Sequence, residues 1–160
     1  MDTDALTFGV EPANGPDALA CVRRYLDELD ARFPGGFEPA GCGVVEPVEL
    51  DPPHGSFVVA RAGGRAVGCG GVRTLAPGVG EIKRMWLHPD VRGRGAGRRL
   101  LAALEDAARM LDHRVVRLDT SRHLGEAIGL YRSAGYREIE RYNDNADADH
   151  WFEKHLAPPR

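Results

Sequence analysis

At 160 residues the chain has the length of one domain, taken as 1–160, large enough to bury a core without metal or disulfide staples. Hydrophobic residues at 42% and charged residues at 28% are ordinary globular proportions and argue against disorder. A net charge of −3, with no long apolar run, speaks against a general nucleic-acid binder, a membrane-surface protein or a membrane-spanning one.

The acidic start Met1-Asp2-Thr3-Asp4 has no apolar run behind it, so no signal peptide is expected. Leu6–Val10 alternates and predicts a first strand. Pro16 marks a helix start, after which Leu19, Val22, Tyr25, Leu26 and Leu29 recur at helical spacing, with Cys21 on another face. From Phe33 to Gly55 the chain turns irregular, with Pro34, Pro39, Pro47, Pro52 and Pro53. Such a segment either borders a functional pocket or is a surface excursion.

Phe57–Arg61 and Ala66–Val72 predict a hairpin joined by Gly63-Gly64, and the turn Pro77-Gly78 leads into a strand over Glu81–His88. A helix over Ala96–Leu111 carries Leu100, Leu104, Ala107, Ala108 and Leu111 on one stripe. Val115–Asp119 is a short strand, Glu126–Ala134 a helix ended by Gly135, and Tyr136–Glu140 and His150–Lys154 the final strands. Trp151 and Phe152 read as core or interface aromatics, or as one wall of a pocket. The series predicts an α/β fold, a mixed sheet with helices on both faces, in which a right-handed crossover makes Glu81–His88 parallel to Val115–Asp119.

The chemistry-bearing feature is Arg92-Gly93-Arg94-Gly95-Ala96-Gly97, between a strand and a helix. A glycine-rich turn there aims unpaired N–H groups at one spot, and the helix dipole favours an anion at that spot. A Walker A loop would end in Gly-Lys-Ser or Gly-Lys-Thr, whereas Gly97 is followed by Arg98-Arg99; a dinucleotide fingerprint would need glycine where Arg98 stands. What remains is Arg-x-x-Gly-x-Gly, at Arg92, Gly95 and Gly97. The bland alternative is a plain, solvated helix start. Cys21, Cys42 and Cys69 lack CxxC spacing and read as free thiols of a reducing cytoplasm, and six histidines without ligand spacing imply no metal.

With its flanking segments this loop resembles motif A of the GCN5-related N-acetyltransferases (GNAT), which grip the diphosphate of acetyl-coenzyme A there. Glu81–Pro89 looks like the family's central strand, and Leu130-Tyr131-Arg132-Ser133-Ala134-Gly135-Tyr136 resembles its Leu-Tyr-x-x-x-Gly-Phe/Tyr signature. The resemblance implies a mostly antiparallel central sheet with a splayed parallel strand pair. It implies acetyl-coenzyme A as co-substrate, held by the backbone of Met85, Trp86 and Leu87 and by Arg92, Gly93, Arg94, Gly95, Ala96, Gly97 and Arg98. Arg99 lies one position further round and reads as solvent-facing.

Tyr131 is the expected general acid, since a tyrosine stays protonated at neutral pH and can donate to a departing thiolate; its bland reading is a packed helix residue. Glu81 is the expected base for the incoming amine, directly or through water, against the alternative of a strand residue paired with Lys83. Many relatives carry an asparagine at the position of Leu124, so that pantetheine contact is not carried over; Ser121 and Glu126 are polar neighbours. Cys69 and Cys42 lack a sequence-marked histidine partner, which favours direct attack in a ternary complex over an acetyl-cysteine. The expected activity is acetyl transfer to a primary amine of a small molecule or peptide, with no nucleic-acid or membrane partner. The alternative is a non-catalytic acyl-coenzyme A-binding module. Acceptor identity, acyl-chain preference and oligomeric state, including a homodimer, stay open.

Overall fold

The computed structural model describes residues 5–37 and 45–158, so Pro39 and Cys42 lie outside the described residues. Strands β1 (Leu6–Val10), β2 (Gly55–Ala62), β3 (Arg65–Ala76), β4 (Val79–Leu87), β5 (Val115–Thr120), β6 (Arg137–Ile139) and β7 (His150–His155) form one sheet in the order β1-β2-β3-β4-β5-β7-β6. Helices α1 (Pro16–Arg32), α2 (Ala96–Met110) and α3 (Gly125–Ser133) complete it. All neighbours are antiparallel except β4 and β5.

The two sheet faces bury separate cores. One packs Val58, Val67, Val72, Leu118 and Phe152 under Leu100, Leu101, Leu104 and Ala108 of α2, with α3 at its edge. The other packs Phe57, Val59, Cys69 and Trp86 under Ala18, Cys21 and Val22 of α1. The α2 stripe is buried as its spacing predicts, except that Leu111 falls just past the helix end. The expected α1 stripe is buried or packed on the core at Val22, Tyr25, Leu26 and Leu29, with two differences at its margin: Cys21 is 3% exposed and Leu19 is 44% exposed. Small Ala18 and Cys21 let the helix sit close over β3, where Cys21 Sγ reaches the Gly68 carbonyl at 3.8 Å.

Two features of β4 position the site. Its pairing with β5 covers only Val79, Gly80 and Glu81, so the two strands part beyond Glu81. Against β3 the register slips between Cys69 and Gly71, where Arg84 and Met85 stand opposite the single Gly70. This bulge puts Arg84 at φ +57°, a left-handed conformation that costs a non-glycine residue roughly 1–2 kcal/mol. Cys69 Sγ donates to the Arg84 carbonyl at 3.3 Å and pins the bulge from within the core. The predicted crossover holds; the insertion of β7 between β5 and β6 is a long-range pairing that no local pattern announces.

Candidate functional site

The parting of β4 from β5 opens two connected cavities. An inner one of ≈ 170 Å³ lies between the strands and under α1, bordered by Lys83, Arg84, Asp119, Thr120, Asn145 and Asp147. An outer one of ≈ 370 Å³ runs along the end of β4 to the start of α2, bordered by Trp86, Leu87, Arg92, Gly93, Gly95, Gly97 and Arg98. Tyr25, Leu29, Met85, Leu124, Ala127 and Tyr131 line both. Within the irregular segment, Phe33, Phe37 and Val45 also border the inner cavity.

The outer cavity is suited to an elongated anion. Gly93, Arg94 and Gly95 are all left-handed, at φ +83°, +52° and +80°, which turns the chain abruptly into α2. Among the described residues no side chain caps that helix; the Ala96 N–H donates to the Gly93 carbonyl at 3.1 Å, and the N–H groups of Gly97 and Arg98 are left to face an anion. A Cβ added to Gly93 or Gly95 meets nothing within 4 Å; these glycines serve the backbone turn. Gly97 serves packing instead, since a Cβ there would stand 3.1 Å from Leu130 Cδ2. Beyond Glu81 the β5-facing side of β4 has no strand partner among the described residues, an edge that an extended amide chain can join.

Sequence-predicted residues distribute unevenly over this groove. Met85, Trp86, Leu87, Arg92, Gly93, Gly95, Gly97 and Arg98 border it, whereas Ala96 is buried beneath it and Arg94 is exposed outside it. Arg92 donates through Nε to the Leu87 carbonyl at 2.9 Å and through Nη2 to Glu28 of α1. Arg98 donates to Ser133 Oγ at 2.8 Å. Arg99 is exposed, as expected, and also donates to the Leu6 carbonyl at 3.0 Å and lies over the Phe8 ring. Glu28, Arg32 and Glu126 cross-link α1 to α3 along the rim.

Tyr131 stands where the cavities meet, with its hydroxyl donating to Met85 Sδ at 3.9 Å. Burial, and secondarily the Asp119 charge, push its hydroxyl up to about 12. It therefore holds its proton at neutral pH. Glu81 is fully buried and borders neither cavity. Its Oε1 accepts from Arg73 Nε at 2.9 Å and lies 3.5 Å from Lys83 Nζ; its Oε2 accepts from the Tyr142 hydroxyl at 2.6 Å. Burial and the Glu81 carboxylate push the Tyr142 hydroxyl well above the ordinary phenol range.

Lys83 links this cluster to Asp119, 3.3 Å away, which also accepts from Asn143 at 2.6 Å and Asn145 at 3.2 Å. Asp119 and the asparagines went unnoticed in the sequence, whereas the pairing of Glu81 with Lys83 is the alternative reading that the sequence offered. One signal could have found Asp119: it ends a strand of the parallel pair, and crevices form at the carboxyl ends of such strands. Trp151 and Phe152 are buried and line neither cavity; Trp151 donates to Asn143 at 2.9 Å. Cys69 is buried on the far side of the bulge. Among the described residues no group of histidine, cysteine and carboxylate side chains could hold a metal, and no helix is long and apolar enough to cross a membrane.

Comparison with known proteins agrees with this geometry. The sequence model described as "Acetyltransferase (GNAT) family" matches residues 22–136. The chain is 34% identical over 154 residues to the N-alpha-acetyltransferase RimI of Mycobacterium tuberculosis, covering 92% of this chain and 90% of that one. It is 37% identical over 119 residues to an IAA acetyltransferase of Azospirillum brasilense, covering 73% and 77%. In structure it is similar to a GNAT-family acetyltransferase of Staphylococcus aureus Mu50, with a TM-score of 0.79 at 16% identity over 96% of this chain and all of that one (100%).

Proposed function

The chain belongs to the acetyltransferase (GNAT) family, and from that premise we propose that it moves acetyl from acetyl-coenzyme A to a primary amine by direct attack in a ternary complex. One observation carries this reading: two cavities of different character, one suited to a long anion and one to a small polar molecule, share Tyr131 and Met85. In the reading, the uncapped start of α2 holds the diphosphate and the open edge of β4 takes the pantetheine arm like an added strand. Acetyl-coenzyme A supplies the activated acyl group; an amine entering through the inner cavity meets it at the seam.

The chain's own groups then have these roles. A backbone N–H of Met85 or Leu87 donates to the thioester oxygen, a kind of donor worth about 2.7–4 kcal/mol of barrier. Tyr131 holds the proton that the departing thiolate takes. Its raised pKa weakens it as an acid in water, but a thiolate in the same dry seam is raised by the same desolvation. Asp119 borders the acceptor cavity and takes the ammonium proton. Glu81 acts behind it as a positioning residue, fixing Lys83 against Asp119. The free, buried thiols of Cys21 and Cys69 favour a reducing, cytoplasmic setting.

The test is a coenzyme A-release assay over diamines, amino acids, aminoglycosides and peptide N-termini, paired with calorimetry of acetyl-coenzyme A binding. Thiol release that depends on an amine is expected. Binding without release across the whole panel would favour a coenzyme-binding module, and no binding at all would end the enzyme reading.

A further inference from the structure

We propose that the acceptor is a small amine carrying a carboxylate, and that Arg84 is the group that receives this carboxylate; the proposal rests on the acetyl-transfer reading above. In a regular strand consecutive side chains face opposite sides. At the bulge of β4, however, Lys83, Arg84 and Met85 all border the inner cavity. Arg84 holds this place at φ +57°, where glycine would be free of strain. A long cation is kept at the one position of β4 where the backbone penalises any side chain.

The charges around the cavity are not balanced residue by residue. Lys83 is engaged by Glu81 and Asp119. Arg84 donates through Nη2 to the Val45 carbonyl at 2.7 Å and makes no ion pair among the described residues. A guanidinium carries five N–H donors in a planar fork that matches a carboxylate, so its binding capacity is mostly unspent. Asp147 also borders the cavity, from the segment before β7, and likewise makes no ion pair among the described residues. Among the described residues the cavity thus offers one unmatched cation from the β4 bulge and acidic groups, Asp147 and Asp119, from the other strand's side. A molecule with an amino group and a carboxylate has the complementary polarity.

Size points the same way. The ≈ 170 Å³ of the inner cavity is below the roughly 300–1,000 Å³ of sites for drug-sized ligands. An amino acid fits that scale better than an aminoglycoside.

The test compares matched acceptors, each amino acid against its own amide and methyl ester, which keep the amine and lose the charge. For the unmodified chain the ratio of kcat/KM, acid over amide, is expected to be about 10–100, the range of a charge-assisted hydrogen-bonded contact. In Arg84→Met that ratio is expected to collapse to near one. Arg84→Gly is the companion variant, since it relieves the backbone strain and separates lost charge from a disturbed bulge; its ratio is expected to collapse as well.

Equal use of acid and amide by the unmodified chain would overturn the proposal, as would a ratio that survives both substitutions. Transfer confined to amines without a carboxylate would overturn it while leaving acetyl transfer standing. Absence of both acetyl-coenzyme A binding and transfer would remove the acetyl-transfer reading itself, and this proposal with it.

Discussion

The hydroxyl of Tyr131 rests on the sulfur of Met85 at 3.9 Å, and among the described residues it has no other hydrogen-bond acceptor. A thioether is a weak acceptor, so this proton is parked rather than committed. The two residues come from α3 and β4, and they meet only because β4 has parted from β5. Tyr131 packs its ring against Tyr136 and Phe152, which fixes the direction of the hydroxyl toward the seam.

Tyr131→Phe keeps that ring packing and removes the proton. Turnover is expected to fall by about 10²-fold or more, the usual scale for losing a general acid. The dissociation constant for acetyl-coenzyme A is expected to stay within about twofold, because the hydroxyl supplies no positioning contact to the ligand in this reading. Single-turnover kinetics alongside calorimetry read both quantities. An unchanged rate with chemistry limiting would return Tyr131 to a packing role.

The two carboxylates near the cavity are expected to separate by their substitutions. Glu81 is buried with Arg73, Lys83 and Tyr142, so Glu81→Gln removes the acidic partner of a buried pair, a change that typically costs about 3–5 kcal/mol. Urea denaturation should show that loss. Asp119→Asn removes a buried partner of Lys83 and is expected to cost stability as well, and in addition to lower kcat by about 10²-fold or more, the scale of losing a general base. The reverse pattern, a kcat lowered that far in Glu81→Gln and little changed in Asp119→Asn, would make Glu81 the base itself.

How much of this was legible in the sequence follows from how local each feature is. The α2 stripe, the hairpin and the glycine turn are set by neighbours a few residues apart, and periodicity and turn chemistry read them correctly. The α1 stripe was read correctly at Val22, Tyr25, Leu26 and Leu29 and missed only at its margin, where hydrophobicity favoured Leu19 but close packing over β3 selects small Ala18 and Cys21. Glu81 was visible as a carboxylate at the start of a strand with Lys83 as a neighbour on the same face, but its other two partners come from β3 and the segment before β7. Asp119, Arg84 and Asp147 become neighbours of one cavity only through the splay and the bulge, which are products of long-range pairing.

The rim of the outer cavity makes a prediction about affinity. Glu28 accepts from Arg92, from Arg32 and from Trp86 Nε1 at 3.3 Å, so the glycine-rich loop's arginine faces a carboxylate that an incoming diphosphate must displace. Glu28→Gln keeps an acceptor for the indole and removes the competing charge. Coenzyme A is then expected to bind roughly three- to tenfold tighter, with a gain that shrinks at high salt as screening rises. Arg92→Met is expected to weaken binding, whereas Arg94→Met, whose side chain lies outside the groove, is expected to change it little. Calorimetry at two ionic strengths measures all three; unaltered affinity in Glu28→Gln would mean that the diphosphate never meets this pair.

His113 sets a limit on stability at acid pH. Its ring is buried against Gly80, where an added Cβ would collide with Nδ1, and that nitrogen has no hydrogen-bond partner among the described residues. Nε2 bonds to Thr74 Oγ1 at 2.8 Å. Burial pushes the folded-state pKa of His113 below its ordinary value, opposed by Asp112. In the unfolded chain the group titrates near about 6.5, so below that pH the unfolded state binds the extra proton first. Stability from this site is therefore complete above about pH 6.5, falls as the pH drops toward the lower folded value, and changes no further below it. His113→Gln cannot take up that proton. Denaturant titrations of both proteins between pH 8 and pH 4.5 should show the unmodified chain losing stability relative to the variant as the pH falls. A difference between the two that stays constant over that range would show that His113 titrates alike in both states.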